Sequence, residues 1–179
     1  MGTPQEPKPA KYFVAFLTSD VALLPLVEGD LGAIFGAIDG RSELALWTVS
    51  KFYEAEMGAN LQRGFISFTT LRSPAELAGL KLKTQQIEER LRRHQDGNGR
   101  RVNLDPGYLD PFKVVLASTK NASQRIYLDG GIYAEATLLY HSGGFHGLPY
   151  TYADYLWPET LVFLTRLRVV YLEQLRQTG

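Results

Sequence analysis

Residues 11–18 read KYFVAFLT, a run of aromatic, β-branched and other apolar side chains with no turn residue inside it. Such a run fits a buried strand and commits the chain to building a sheet early. Further strand signals follow at 43–49, where Leu44 and Leu46 share one face and Trp47 and Val49 the other, at 64–71 (GFISFTTL) and at 100–104. Asp105-Pro106-Gly107 is expected to stop that last strand, with Asp105 accepting a backbone N–H in an Asx-turn. A hairpin is expected from 125–128 and 132–141 across Asp129-Gly130-Gly131, and Ser142-Gly143-Gly144-Phe145 turns the chain again.

Helix signals alternate with these strands. Ser19 and Asp20 are N-cap residues for a stretch weakened by Pro25, Gly29 and Gly32. Ser73-Pro74 opens a single helical turn. An amphipathic helix is expected over 80–95, with Leu80, Ile87 and Leu91 on one face and two exposed ion pairs, Glu88 with Arg92 and Glu89 with Arg93, ending at Gly97-Asn98-Gly99. Asp110-Pro111 is expected to open a short helix through 118. Pro158 suits the first turn of a last helix to about residue 176, its core stripe being Leu161, Leu164, Leu167, Tyr171 and Leu175. The order is β-α-β-β-α-β, then α-β-β and a closing helix. This predicts an α+β fold: a mainly antiparallel sheet with helices on one face, a ferredoxin-like βαββαβ core, and a C-terminal hairpin and helix extension. Residues 1–10 read as a disordered lead-in and 11–179 as a single domain.

Several function classes fall away on composition. The chain of 179 residues has no cysteine, which removes disulfides, thiolate metal sites and a cysteine nucleophile. Its formal net charge is zero, which argues against DNA and against general nucleic-acid binding. No apolar run approaches the 20 or so residues of a membrane span, and the first residues lack the apolar core of a signal peptide, so a cytoplasmic address is expected. Charge is nonetheless uneven: residues 81–101 hold seven Lys/Arg against three Asp/Glu, and residues 20–60 two against seven. The i,i+4 spacing explains the basic stretch as a solvated helix face.

The familiar motifs are missing. There is no G-x-x-x-x-G-K-[ST] phosphate loop, and no G-x-S-x-G elbow to present a serine. His141 and His146 bracket a turn, two ligands where a recognised zinc site needs more, and His94 falls on an Arg-rich helix, where a cation suits the C-terminal end. Arg63-Gly64-Phe65-Ile66-Ser67-Phe68 faintly echoes an RNA-reading sheet motif, but alternation puts Phe65 and Phe68 on opposite faces.

The stretch 100–137 concentrates ionisable groups where strands meet turns. In its hairpin, Tyr127, Tyr133, Glu135 and Thr137 occupy alternating positions, while Ile126, Leu128, Ala134, Ala136 and Leu138 suit the core. The polar side is expected to line a cleft, with Tyr127 and Tyr133 stacking on a ligand and Arg101, Lys120 and Arg125 holding an anion. Tyr108 is a further ligand-binding candidate. Asp105 and Glu135 are the catalytic candidates, and magnesium would draw oxygen ligands from Asp105, Glu135 and Glu56. The stretch PYTYADY at 149–155 is placed to close over such a cleft.

The strings FYEAEMG (52–58), RGFISFTTL (63–71), RVNLDPGYL, LASTKN, RIYLDGGIYAEATL and LPYTYADY resemble an uncharacterised prokaryotic domain-of-unknown-function family, four-four-one-six. The resemblance runs from about residue 11 to 174. Its motif positions fall here on Tyr53, Glu56, Arg63, Asp105, Pro106, Gly107, Tyr108, Lys120, Arg125, Tyr127, Tyr133, Glu135, Asp154 and Tyr155. Some members of that family carry a GTP-binding label, from which this chain departs: it has neither a phosphate loop nor N-K-x-D, and Ser118-Thr119-Lys120-Asn121 has the wrong order. The expected function is binding or processing of an anionic, nucleotide-like or phosphorylated small molecule, by hydrolysis or phosphoryl transfer if it is an enzyme. The alternatives are a protein-interaction module built on exposed tyrosines and, third, an RNA-binding sheet.

Overall fold

A computed structural model describes residues 2–92 and 99–178. It is an α+β fold with a mainly antiparallel sheet. The strands are β1 (Ala10–Thr18), β2 (Ile38–Arg41), β3 (Ala45–Leu46), β4 (Gln62–Arg72), β5 (Val102–Leu109), β6 (Lys113–Ser118), β7 (Ile126–Asp129), β8 (Ile132–His141) and β9 (Gly144–Gly147). The helices are α1 (Leu24–Phe35), α2 (Glu54–Met57), α3 (Leu77–Arg90) and α4 (Pro158–Thr178). Among the described residues nine strands form one sheet in the order β2-β4-β1-β5-β6-β8-β7, with β3 also on β4 and β9 also on β8.

β1 is central, paired antiparallel with both β4 and β5. It is buried on both faces, which is why its run carries no polar alternation. Tyr12, Val14 and Phe16 point into a core closed by α1 and α3. Phe13 and Ala15 point the other way, into a core closed by α4 through Leu164, Leu167 and Tyr171. Helices therefore cover both faces, not one as expected, because the strands are apolar on both sides.

Residues 110–118 are not a helix. The segment Lys113–Ser118 alternates Val114 and Leu116 toward the α4 side with Val115 and Ala117 toward α3, the period of a strand. Asp110 is a hairpin residue: its Oδ1 accepts from the N–H groups of Phe112 and Lys113 at 2.8 and 2.9 Å, closing the β5–β6 turn. Asp105-Pro106-Gly107 likewise fails to end β5. Pro106 is tolerated because β6 pairs with β5 only from Gly107 to Leu109, so no ladder is lost on that edge. Gly107 is required for packing: a Cβ there would lie 2.7 Å from Leu116 Cδ2 and 2.8 Å from Phe13 Cζ.

Other boundaries shift for local reasons. The expected strand at 43–49 is only the two-residue β3; a separate short strand, β2, precedes it, both pair with β4, and Leu44 and Leu46 are exposed. The Ser73-Pro74 turn runs straight into α3 through a capping box of Ser73 with Glu76. Glu88 turns inward instead of pairing with Arg92, and Glu89 pairs with Arg92 at 2.9 Å. The stop at Gly97-Asn98, the Glu89–Arg93 pair and His94 lie outside the described residues. Gly130 and Gly131, at φ +57° and +79°, make the tight β7–β8 turn that only glycine takes without strain. Across the next turn the His141 and His146 rings stack 3.9 Å apart. The α4 stripe is as expected, with Leu161 and Leu175 partly buried beside the three buried positions. Ile126 and Leu128 are not core: β7 is the edge of the sheet, and Ile126 is 73% exposed.

Candidate functional site

The sheet splits between β5 and β6. They are bonded over three residues, after which 102–106 pair only with β1 and Ala117 and Ser118 only with β8. The bared edge of β5 is satisfied by α3. Leu104 donates its N–H to Glu88 Oε1 at 2.7 Å, and its carbonyl accepts from Lys81 Nζ at 2.8 Å. Two helix side chains thus replace the missing ladder, which would otherwise leave buried backbone groups without partners.

This split opens into a cavity of about 180 Å³, lined among others by Asp105, Lys120, Arg125 and Glu135 and, from α3, by Lys81, Gln85 and Glu88. Asp105 reaches it from β5, Glu135 from β8, and Lys120 and Arg125 from the segment joining β6 to β7. Its aromatic lining comes from Trp47, Phe52, Tyr53, Tyr152 and Tyr155. A more open groove of about 420 Å³ between β2 and α4 receives none of the residues expected at a site.

Arg125 is the strut of the cavity. Its Nε donates to Glu135 Oε2 at 2.7 Å, Nη1 to Ser118 Oγ and the Lys120 carbonyl at 2.7 and 2.8 Å, and Nη2 to Tyr152 Oη at 2.6 Å. Both members of the Arg125–Glu135 pair are buried along their side chains. Burial opposes the arginine's charge, but Glu135 and Tyr152 more than offset it and its pKa lies above the ordinary value. A second buried pair, Arg63 Nη2 with Asp154 Oδ2 at 2.7 Å, lies under an aromatic cage, the guanidinium 5.2 Å from the Phe65 ring centroid and 5.7 Å from that of Tyr155. The Tyr155 hydroxyl is buried with no hydrogen-bond partner among the described residues, and burial raises its pKa well above the usual tyrosine range.

Asp105 is held differently. Lys81 Nζ donates to Oδ1 at 2.9 Å and Asn103 Nδ2 to Oδ2 at 2.5 Å. Burial works against its charge, yet Lys81 and Arg63 hold its carboxyl below the ordinary carboxylate value. It is deep in the fold, but 32% of its side-chain surface remains open, and that surface faces the cavity. Lys81 is pulled down by burial and up by Asp105 and Glu88, and the upward pull prevails. Burial raises the Glu88 pKa.

Five basic side chains (Arg63, Lys81, Arg100, Lys120 and Arg125) and four carboxylates (Glu88, Asp105, Glu135 and Asp154) line the cavity, and Glu56, outside the lining, pairs with Arg100, so the cations and carboxylates balance. Four of the cations stand opposite carboxylates. Lys120, exposed at the mouth, has no carboxylate partner among the described residues; its ammonium lies 5.5 Å from the Phe52 ring centroid.

The remaining expected residues lie elsewhere. Arg101 is ion-paired to Asp20 at 2.6 Å. Tyr108 packs beside Tyr12 on the α1/α3 side, ring centroids 5.8 Å apart. Tyr127 and Tyr133 meet each other edge to face at 5.4 Å, outside the cavity lining. Glu56 pairs with Arg100 at 2.8 Å, and among the described residues no three His, Asp or Glu side chains are grouped to hold a metal ion. Phe65 and Phe68 are buried on opposite faces of the sheet. Lys81, Gln85 and Asn103 line the cavity without having been singled out. The signal for the helix residue was legible: Lys81, Thr84 and Glu88 form a polar stripe at i, i+3, i+7 beside Leu80, Ile87 and Leu91.

The chain belongs to the family described as Domain of unknown function (DUF4416), matched over residues 8–171. The whole cavity lies within that span. No curated protein and no solved structure matches the chain. Among the described residues no helix is long and apolar enough to cross a membrane.

Proposed function

We propose that this protein binds a small anionic molecule in the cavity where β5 and β6 part, its charged group meeting Lys120 at the mouth. The observation that carries this reading is the convergence of Asp105, Lys120, Arg125 and Glu135, from separate segments, on one concavity where the Lys120 ammonium has no carboxylate partner among the described residues. Convergent polar groups against aromatic walls are how small-ligand sites are built. At about 180 Å³ the cavity is smaller than the roughly 300–1,000 Å³ that encloses drug-sized ligands. A sugar-sized or small-acid ligand fits inside it, and a larger one would extend past its open mouth. If binding leads to chemistry, Asp105 is the proton acceptor: it is ionised, fixed by two hydrogen bonds and open to the cavity.

We also read the run from β1 to β5 as a ferredoxin-like unit. The antiparallel order β2-β4-β1-β5, with α1 and α3 on one face, supports that reading. A second functional reading, a protein-binding edge, rests on the exposed apolar residues Ile126, Tyr127 and Leu128 of β7.

Thermal melting with a panel of small phosphates and carboxylates separates the two. A ligand at 100 times its Kd stabilises the folded chain by about 2.7 kcal/mol, a rise of roughly 5–10 °C for a chain of this size. Lys120→Ala, a surface change, should leave the unliganded melting temperature within about 2 °C and weaken the active anion about tenfold. No shift from any anion would abandon the cavity in favour of the β7 edge.

A further inference from the structure

We propose that the anion taken by this cavity is a hydroxylated one, a sugar phosphate or sugar acid, whose hydroxyl groups donate to Asp105 while its charged group meets Lys120. The inference rests on the anion-binding reading and names its ligand class.

A carboxylate has about four acceptor positions. Lys81 and Asn103 occupy one on each oxygen, and the side chain still opens on the cavity. Whatever lies against it must donate a hydrogen. A cationic donor is disfavoured, because Lys81 already neutralises Asp105 and the Lys120 ammonium lines the same cavity. Neutral O–H groups meet both conditions.

Gln85, a neutral side chain with two donors and an acceptor, also lines the cavity and suits hydroxyl groups better than apolar surface. Trp47 and Tyr53, edge to face with ring centroids 6.1 Å apart, present aromatic surface suited to the C–H face of a sugar ring. The volume of about 180 Å³ accommodates a sugar-sized body.

The test is calorimetric titration of the intact chain with matched pairs: ribose 5-phosphate against methyl phosphate, and gluconate against propionate. At least one hydroxylated member should bind about tenfold or more tightly than its partner, and which pair responds tells phosphate from carboxylate. In Asp105→Asn that preference should shrink toward unity, while Lys120→Ala weakens both members of the responding pair. The ligand ratio is read on the unmodified chain, so it stands even if Asp105→Asn fails to fold; Gln85→Ala, on the helix surface of the cavity, then serves as the second variant and should reduce the ratio. Equal affinity for both members of each pair, lost together in Lys120→Ala, would overturn the hydroxyl inference and leave the anion site standing. Absence of binding by all four probes would overturn both.

Discussion

The two faces of the sheet use alternate residues of the same strands and come out opposite in character. On the α1/α3 side, Tyr12, Val14, Phe16, Leu104, Val115 and Ala117 merge into one apolar core. On the α4 side, the apolar cluster around Phe13, Ala15 and Leu164 covers only part of the sheet. The rest carries Arg63, Asp105, Glu135 and Asp154, which line the cavity. The difference teaches where strand alternation stops being about packing. One face is closed by two helices over an apolar core, and its α3 side chains Lys81, Gln85 and Glu88 line the cavity at the split. The other has one long helix and a sheet that parts beneath the uncovered half, so its charges are sheltered without being sealed.

The sharpest way to break the comparison is to open a hole on the filled face. Phe35 is wholly buried and stacks on Phe68 with ring centroids 4.7 Å apart. Phe35→Ala should cost about 3–5 kcal/mol in urea unfolding. A loss below about 1 kcal/mol would mean that this face is not the rigid core described.

Next comes the polar face. Glu135→Ala leaves the buried Arg125 guanidinium without its carboxylate and should cost about 3 kcal/mol. Arg125→Met combined with Glu135→Leu should recover most of that stability, because no buried charge is then stranded. If the single variant is as stable as the parent, the pair is solvated in solution and the polar face is open, not sheltered.

The smallest effect is read against pH. The folded Asp105 carboxyl lies below its ordinary value. Its stabilising contribution is therefore complete above the unfolded aspartate value of about 3.9 and is lost as pH falls through the lower folded value. The stability gap between the parent chain and Lys81→Met should accordingly be full at pH 7 and narrow below about pH 4. A gap that stays constant into acid would mean that Lys81 serves only the Leu104 carbonyl and contributes nothing to Asp105.

Much of the fold was legible wherever periodicity acts locally. The β1 run, the Gly130-Gly131 hairpin and the α4 stripe follow from spacing alone, because side-chain direction in a strand or helix repeats with the backbone. Proline and aspartate misled at two places for one reason. Asp110-Pro111 fits a helix start or a hairpin turn equally well, and Pro106 ends a strand only if a neighbour needs its N–H. Which holds depends on the partner strand, a long-range fact. The site was half legible: Asp105, Lys120, Arg125 and Glu135 face the cavity, whereas Arg101, Tyr108, Tyr127 and Tyr133 do not.

By itself, then, the sequence determined which segments extend, which coil, and which residues carry charge among apolar neighbours, since those depend on near neighbours along the chain. Only the tertiary structure decided that β5 and β6 would part, that Lys81 would cross to Asp105, and that the tyrosines of the β7–β8 hairpin would lie outside the cavity lining. Strand pairing and sheet edges are set by contacts between residues far apart in the chain, and no local pattern encodes where a ladder stops.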